Sequence, residues 1–436
     1  MAMAATRAAG DTGRGGGSPI HGWPAHPRAR LGGFGIEPPL NDMERMFQQT
    51  LRKFALEVMR PIGQRLDRMS AARVIAEDSP YWDFRRQLLD LGVRLEMLLA
   101  LPPEQRARMF CIAYEELGYG DGGLAISAGA STLPHYLSAL FGNGFLMERF
   151  PEETLGCWAI TEPDHGSDTL DPAGMLRHPD GRHGRPNTVA RFHNDRVVLN
   201  GQKSAWVSNG TVAEVCILYC AADTGDGPDP AHGCVLVLPL DLPGISRGQP
   251  LEKHGQRGNP QGELFFEDVE VPLDYVLAGP EDYQRAVYCI LTEANALMGA
   301  TWTGVARGAY DLAYEYAHER RQGGVPIVRH QLVAYKLFHM FRRIEASAAL
   351  SRRVVHYNHA ADLPAVQASI AAKITATQMS FDVASDALQL FGGNGLTHEY
   401  PIEKILRDCR AAMIEDGSND VLALKGGHYL MDEDRL

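Results

Sequence analysis

The hydrophobic period of this chain changes twice, and this change constrains the fold more than any other feature. From Asn41 onward, apolar residues recur with a helical period after an Asn-Asp sequence that is typical of a helix start. From about residue 154 to 280 the chain shows short β-branched or aromatic runs broken by Gly, Pro, Asn and Asp, which indicate strands and tight turns. Four long helical patterns with short connections then follow, as in a four-helix bundle. The sequence therefore predicts a mainly α protein with a central β domain.

We expect four segments along the chain. A length of 436 residues favours several domains, because a single core rarely grows beyond about 250–300 residues. We place an N-terminal helical domain at 39–153, a central β domain at 154–280 and a C-terminal four-helix bundle at 281–436. Residues 1–38 are rich in Gly, Ala, Pro and Arg without apolar periodicity, so we predict a disordered tail. A transit peptide is the alternative, although this stretch lacks a helical apolar face.

The composition argues against several classes of protein. The net charge of −12 is spread over the chain without a long basic run, so there is no electrostatic footprint for nucleic acid. No window approaches about 18 consecutive apolar residues, which argues against a transmembrane helix and against membrane anchoring. The 7 cysteines are scattered and lack zinc-ligand spacing, which favours reduced thiols in a cytoplasmic protein without a metal site. The even spacing of Cys216 and Cys220 predicts that both pack on one face of a strand.

Two stretches of the β region place small and polar residues at strand ends. In WAITEPDHGSD a strand runs into Thr161 and then turns through Gly166 and Ser167, where small residues and hydroxyls let a planar ligand approach the backbone. An ordinary Pro-Gly turn explains this stretch equally well. In LNGQKSAWVSNG we expect Trp206 and Ser208 on one side of a short strand after a glycine turn. That placement suits a stacked ring, and it suits a core tryptophan as well.

Two stretches of the C-terminal region interrupt helices. In ERRQGGVPIVRHQ, Arg320 ends a long helix before a Gly-rich loop, which favours either a phosphate site or a simple helix stop. In the segment that begins with ALQLFGGNG, Gly392 and Gly393 break a helix just after Gln389. A new helix follows from about residue 400 and leads to IEDGS, which contains Asp416.

Taken in this order, the four stretches resemble the acyl-CoA dehydrogenase family of flavoproteins. The similarity runs in register from about Asn41 to near the C-terminus. Its strongest anchors are T-E-P-x-x-G-S-D at Thr161–Asp168 and Q-x-x-G-G-x-G with E-Y-P and R-D at Gln389–Asp408. The resemblance implies a helical N-terminal domain, a β domain and a four-helix bundle, with FAD in the cleft between the β domain and the bundle and extended across a dimer contact. It also implies α,β-dehydrogenation of an acyl thioester in fatty acid metabolism, with an electron-transfer flavoprotein or another acceptor taking the electrons.

The matched positions imply a set of cofactor contacts. Thr161 would hydrogen-bond the edge of the isoalloxazine ring, and Arg320 of a neighbouring subunit would meet the FAD pyrophosphate. The resemblance therefore implies a homodimer or homotetramer. The complete set of implied FAD-binding residues is Trp158, Ile160, Thr161, Gly166, Ser167, Trp206, Ser208, Arg320, Gln389, Gly392, Gly393 and Ser418.

The position of the catalytic base departs from the common family pattern. The reaction needs a carboxylate because the α proton of a thioester is only weakly acidic. Where many members have a Glu before the Gly of E-G-T, this chain has Asp416, whose reach is about 1.5 Å shorter, and a misplacement of about 1 Å can cost around a hundredfold in rate. Some branches place the base on the first bundle helix near Ala294, so Glu293 is our second candidate. Solvated helix charges are the plain alternative for both residues.

Further departures leave the carrier and the function open. The stretch Thr292–Asn295 reads TEAN where many members have Asp-x-x-Arg near CoA, so the acyl group could sit on CoA or on an acyl-carrier protein. Gly323 stands where a Phe usually contacts FAD. The alternatives to a dehydrogenase are a flavin-dependent oxygenase or oxidase on the same fold, and a non-catalytic partner subunit of a heteromeric dehydrogenase.

Overall fold

The computed structural model describes residues 39–171, 174 and 184–431. The disordered tail predicted at 1–38 lies outside the described residues. Within the described part, helices precede and follow one main β-sheet, so the prediction of a mainly α fold with a central β region is confirmed. No helix in these described stretches is both long and apolar enough to cross a membrane.

The chain before the sheet is helical. The first helix begins with a capping box, because the Asn41 side chain accepts the Glu44 N–H and the Glu44 carboxylate accepts the Asn41 N–H, both at 2.9 Å. A five-residue π-helical turn, Ala55–Met59, separates this helix from the next. The described helices of this part are α1 Asp42–Phe54, α2 Arg60–Asp67, α3 Ala71–Val74, α4 Pro80–Asp90, α5 Leu95–Leu99, α6 Pro103–Gly120, α7 Gly122–Leu140 and α8 Gly144–Arg149.

The main sheet has the strand order β6-β7-β3-β1-β4-β5-β8, with β2 pairing with β3 and β4. Strand β1 is parallel to β4 and antiparallel to β3, which brings Trp158 beside Ser208. Strand β4 is buried along its whole length, and Cys216 and Cys220 pack in the sheet core as predicted. The strands are β1 Gly156–Ala159, β2 Thr188–Phe192, β3 Arg196–Ser208, β4 Val215–Asp223, β5 Pro228–Pro239, β6 Ile245–Arg247, β7 Gln261–Pro272 and β8 Val276–Ala278.

Strand β3 corrects one expectation from the sequence. Trp206 and Ser208 lie on a continuous strand of 13 residues and not on a short strand after a glycine turn. Gly201 has φ +127°, and the register of β3 against β7 shifts at this point, as at a β-bulge. A second register shift falls between Lys203 and Val207. Since a bulge absorbs one extra residue and bends the strand, Gly201 continues the strand where a turn was predicted.

Long helices return after the sheet. The described elements are α9 Tyr283–Glu319, β9 Arg321–Gln322, β10 Val325–Pro326, α10 Gln331–Ala360, α11 Val366–Phe391, α12 Ile402–Ala412 and α13 Asn419–Met431. The last of the four predicted helical patterns is divided in two, because α12 ends before the loop at 413–418 and α13 begins after it. That loop contains Asp416.

Two glycines let α6 and α9 approach closely. A Cβ atom added at Gly118 would lie 2.0 Å from the Thr301 carbonyl oxygen, and one added at Gly304 would lie 2.0 Å from the Glu115 carbonyl oxygen. Neither position can accept a side chain without separating the helices. This contact brings the buried carboxylate of Glu115 on α6 next to Arg307 on α9.

Candidate active site

The end of β1 forms one wall of the candidate site. The Ser204 N–H donates to the Thr161 carbonyl oxygen at 3.0 Å, and the hydroxyls of the same two residues lie 2.8 Å apart. Directly after Thr161, the buried carboxylate of Glu162 accepts a hydrogen bond from the buried ammonium of Lys203 at 2.7 Å. These contacts fix the backbone and the Thr161 hydroxyl at the strand end.

An aromatic and hydroxyl surface lies beside this strand end. The Trp158 Nε1–H is buried and has no hydrogen-bond partner within the described residues. Trp206 is 61% exposed, although the large apolar side chain of tryptophan is usually buried for the most part. The Ser208 hydroxyl accepts N–H groups from Asn259 at 3.0 Å and Gln261 at 3.2 Å. An exposed indole with an unpaired donor nearby is the surface that a planar polar ring would cover.

The loop after Thr161 meets the loop that carries Asp416. The Ser418 N–H donates to the Ser167 hydroxyl at 2.9 Å, a contact between residues 251 positions apart. On the same side, the Lys425 ammonium donates to the Leu170 carbonyl oxygen at 2.6 Å. A Cβ atom added at Gly166 would meet no heavy atom within 4 Å, so this glycine faces open space. Asp416 therefore lies two residues from a direct contact with the T-E-P-x-x-G-S-D loop.

The loop at 413–418, here called the base loop, has an uncommon backbone. Asp416 has φ +51° and Gly417 has φ +96°, so two successive residues adopt positive φ in a tight turn. Asp tolerates this region better than most residues, but it is uncommon for any non-glycine residue. Glu415 and Asp416 differ in their contacts. The Glu415 carboxylate accepts from the Gln256 side-chain amide at 2.8 Å, whereas the Asp416 carboxylate forms no hydrogen bond or ion pair with any described residue.

The two adjacent carboxyls have different proton affinities. Burial, together with the charge of Asp416, raises the pKa of Glu415 to about 8. Burial raises the pKa of Asp416 to about 6, although the ammonium of Lys373 opposes this rise. Of the two carboxyls, Asp416 therefore gives up its proton more readily than Glu415. An ionised and unpaired carboxylate is the form that a general base requires.

Glu293, the second candidate base, lies in another cluster. Its carboxylate accepts the Tyr136 hydroxyl at 2.8 Å, which joins α9 to α7. Burial raises the pKa of Glu293, whereas the Tyr136 hydrogen bond and the charge of Arg106 lower it. The carboxylate thus has its partners in the helical part of the chain, while Lys373 and Glu415 surround Asp416. Of the two candidates, Asp416 lies on the loop that contacts the Thr161–Asp168 loop through the Ser418 N–H and the Ser167 hydroxyl.

The remaining implied cofactor residues lie at an exposed end of the bundle. Arg320 caps the C-terminus of α9 and is exposed, as are Gln389 and Gly392–Gly393. Tyr316 joins these two parts, because its ring stacks on Phe391 at 4.1 Å and its hydroxyl accepts the Asn394 amide at 2.9 Å. Among the described residues, no hydrogen bond or ion pair connects this group to Trp158, Thr161 or Ser208. The implied site residues therefore form two groups within one chain.

Sequence reasoning missed three residues that hold the candidate bases: two contact the base loop or the residue after it, and one contacts Glu293. Lys373 donates to the Gly417 carbonyl oxygen at 2.7 Å and to the Asn419 side chain at 2.8 Å. Gln256 bonds Glu415, and Tyr136 bonds Glu293. Each lies far along the chain from its partner and carries no local motif, so the fold was needed to find it. In the described part of the chain, no group of three or more His, Cys, Asp or Glu side chains could hold a metal.

Comparisons with known proteins identify the family of this chain. Family models described as "Acyl-CoA dehydrogenase, middle domain" and "Acyl-CoA dehydrogenase, C-terminal domain" match residues 157–269 and 283–427, together more than half of the chain. A probable acyl-CoA dehydrogenase of Bacillus subtilis is 27% identical over 399 residues, which is 88% of this chain and 97% of the relative. Cyclohex-1-ene-1-carbonyl-CoA dehydrogenase of Geobacter metallireducens is 28% identical over 392 residues, which is 87% of this chain and 98% of the relative. Among solved structures, butyryl-CoA dehydrogenase from Megasphaera elsdenii has a TM-score of 0.78 at 24% identity, over 91% of this chain and 100% of that one.

Proposed function

This chain belongs to the acyl-CoA dehydrogenase family of FAD-dependent oxidoreductases, and we propose that it dehydrogenates the α,β bond of an acyl thioester with Asp416 as the base. The observation that carries this proposal is geometric: the Asp416 carboxylate has no hydrogen bond or ion pair with a described residue, and its loop contacts the Thr161–Asp168 loop through Ser418 and Ser167. The base loop is part of the C-terminal bundle, whereas Thr161 follows a strand of the sheet. We therefore propose that the candidate base borders the cofactor cleft between the sheet and the bundle.

The residues around β1 fit a flavin ring. The unpaired Trp158 Nε1–H and the exposed Trp206 provide a donor and a stacking surface, and the Thr161 and Ser208 hydroxyls are additional edge partners. Side chains added at Gly392 and Gly393 would meet no heavy atom within 4 Å, which leaves room for a ligand at the exposed group as well. When bound, FAD supplies the hydride acceptor. We propose that Trp158, Thr161, Trp206 and Ser208 hold the ring.

The protein's own contribution to the reaction is proton removal. Asp416 takes the α proton of the thioester, so that the proton leaves the α carbon and resides on the carboxylate oxygen. A base with a pKa closer to the working pH transfers protons more effectively than an ordinary aspartate, and burial raises the pKa of Asp416 in that direction. Hydrogen bonds to the thioester carbonyl oxygen would stabilise the enolate charge that develops at the same time.

The backbone of the base loop determines how far the Asp416 carboxylate extends toward the substrate. An aspartate is one methylene shorter than a glutamate, so its position depends more strongly on the main chain. Lys373, Ser167 and Gln256 each anchor the loop, at Gly417, Ser418 and Glu415 respectively. Positive φ at Asp416 sets the direction of its side chain. We propose that these anchors hold the shorter carboxylate where the substrate α carbon approaches.

The residue at position 295 bears on the identity of the acyl carrier. Asn295 stands where many members have the Arg that meets CoA, and its side chain is fully buried with its amide donating to the Leu291 carbonyl oxygen at 2.8 Å. No positive charge is therefore offered from this position. We propose an acyl-CoA or an acyl group on a carrier protein as substrate, and an electron-transfer flavoprotein or another acceptor as the partner that reoxidises the flavin.

A thioester titration tests the proposed function directly. The purified protein is expected to be yellow, with FAD bound, and its absorbance near 450 nm should bleach anaerobically when a suitable acyl thioester is added. The measurement is an absorbance titration with a panel of acyl-CoA and acyl-carrier thioesters of different chain length. Rapid oxygen consumption with a supplied reductant, but no bleaching by any thioester, would favour an oxygenase or oxidase. A folded protein without FAD would favour the non-catalytic partner subunit.

A second copy of the chain would complete the cofactor site. The two groups of site residues are separate within one chain, and the exposed group contains Arg320 and Gln389. Nearby in sequence, Leu332, Tyr335 and Phe338 lie three residues apart on α10, and each is more than 60% exposed. Such a stripe of large apolar side chains indicates a protein contact surface. We propose that α10 packs against a second copy, in a homodimer or homotetramer.

Polar substitutions on α10 test this contact. The double variant Leu332→Ser and Phe338→Ser should reduce the mass measured by light scattering from two or four chains to one. The same variant should lower the FAD content, because Arg320 of the neighbouring subunit would be lost from the site. Met97→Ser, which changes an exposed methionine on α5, is the matched control and should leave both values unchanged. A wild-type protein of one chain mass with full FAD content would contradict the proposal.

A further inference from the structure

Lys373 differs from the other buried lysines of the described chain. Lysines 203, 404 and 425 each lie within 4 Å of a carboxylate, at 2.7 Å from Glu162, 2.7 Å from Asp121 and 3.7 Å from Asp171. Lys373 is 0% exposed, yet its ammonium bonds only the neutral oxygens of Gly417 and Asn419. Two of its three N–H groups are thereby satisfied. Within the described residues, its positive charge has no ion-pair partner.

A buried ammonium without a counter-charge is costly, because it loses its hydration and gains no opposite charge in return. The bond to the Gly417 carbonyl oxygen places the ammonium next to the residue that follows Asp416. Asp416 itself has no hydrogen bond or ion pair with a described residue. Burial lowers the pKa of Lys373 to about 8, and among the described residues the carboxyls of Asp416 and Glu415 act against this decrease.

We infer that Lys373 is the counter-ion of the base: it holds the base loop through Gly417 and balances the negative charge of Asp416 through space. This inference rests on the proposed function, in which Asp416 takes the substrate proton. Lys373 would then be a positioning residue, since it acts on the substrate only through Asp416. It sets how readily Asp416 stays ionised before the reaction and releases its proton afterwards.

The charged groups near the base loop determine in which direction a substitution at Lys373 changes the pKa of Asp416. The charge of Asp416 raises the pKa of Glu415 on the same loop, and Glu415 is itself hydrogen-bonded by Gln256. Lys253 is a second cation that interacts with Glu415, and burial lowers its pKa while the charges of Glu415 and Asp408 raise it. Lys373 is the cation that acts on Asp416 directly, and its charge lowers the pKa of that carboxyl. Removing the charge should therefore raise the pKa of Asp416.

The pH dependence of the reaction tests this prediction. In Lys373→Met, which has similar length but no charge, the acid limb of kcat/KM should move to higher pH by about 1–3 pH units, since the base becomes protonated more easily. Lys373→Arg, which restores the charge, should return the limb to its wild-type position. Thr377→Val is the matched control, because the uncharged Thr377 also bonds the Asn419 side chain that Lys373 contacts. The acid limb of kcat/KM should not move in this variant. An unmoved acid limb in Lys373→Met would overturn the inference.

A stability measurement tests the pairing without catalysis. Asp416→Asn leaves the Lys373 ammonium buried without a counter-charge, so it should lower the thermal midpoint of the FAD-loaded wild-type protein. In the Lys373→Met background the same substitution should leave the midpoint unchanged or raise it. Equal decreases in both backgrounds would contradict the pairing. This measurement does not depend on the proposed function. If the protein is not a dehydrogenase, the wild type will show no bleaching with any thioester, but the stability changes in the two backgrounds will still differ.

Discussion

Replacing Asp416 with asparagine is expected to lower the rate of anaerobic flavin reduction by an acyl thioester by about 10³-fold, within the range that a general base typically contributes. Asparagine keeps the shape of the side chain but cannot accept the α proton. FAD content should be retained, because the Asp416 side chain makes no hydrogen bond with the described protein. Stopped-flow absorbance near 450 nm measures the rate, and the flavin spectrum measures the cofactor.

Glu293→Gln is the matched control for this substitution. It also neutralises a carboxyl, but the Tyr136 hydroxyl can still donate to the amide oxygen of the glutamine. Since Glu293 lies in a cluster with Tyr136 and Arg106, its loss should change the rate by less than about tenfold. A large loss of rate in Glu293→Gln, with a nearly normal rate in Asp416→Asn, would show that Glu293 is the base and Asp416 is not. Asp416→Glu adds the methylene that this chain lacks, so its rate reports whether the base loop is adapted to the shorter side chain.

The sequence predicted the fold class because hydrophobic periodicity is a local signal. Helical spacing after Asn41 and short alternating runs in the middle of the chain are visible within windows of 10 to 20 residues. The error at β3 is also local in origin, since Gly201 marks a turn in most contexts and a bulge in a few. Only pairing with β7 decides between these outcomes. The division of the last helical segment into α12 and α13 likewise depends on the positive φ at Asp416 and Gly417.

The candidate site was only partly visible in the sequence. The motifs at Thr161–Asp168 and Gln389–Asp408 could be found through their resemblance to a family, but the contact between Ser167 and Ser418 joins positions 251 residues apart. No local pattern predicts such a contact. Lys373 is one lysine within a helical run, and its role depends entirely on which loop the fold places beside it.

Buried charges in the helical part show the same limit. Glu115 and Glu116 carry no local sequence motif, yet both are at most 2% exposed. Glu115 accepts hydrogen bonds from Arg307 at 2.7 Å and from Arg352 at 2.8 and 2.9 Å, which joins α6, α9 and α10. Burial alone would raise the pKa of Glu115, but the two guanidinium groups outweigh it and lower the pKa. The carboxylate is therefore a central stabilising charge of this helix packing.

Glu115→Gln is expected to cause a large loss of stability. Removing one partner of a buried ion pair leaves uncompensated charge, which typically costs about 3–5 kcal/mol in the free energy of unfolding. Here two guanidinium groups would lose their shared counter-charge. The measurement is urea-induced unfolding followed by far-UV circular dichroism at neutral pH with excess FAD. Asp78→Asn is the control, because it removes a carboxylate from the exposed ion pair with Arg73 and should shift the midpoint little.

The difference between wild type and Glu115→Gln should depend on pH in a defined direction. Because the folded-state pKa of Glu115 lies below its ordinary value of 4.5, its contribution is fully present above that pH and is lost as the pH falls through the folded-state value. The gap between the two unfolding midpoints should therefore be widest near neutral pH and should shrink in acid below about pH 4.5. A gap that stays constant from neutral pH into acid would show that Glu115 stabilises the helices by its shape and hydrogen bonds, and not by its charge.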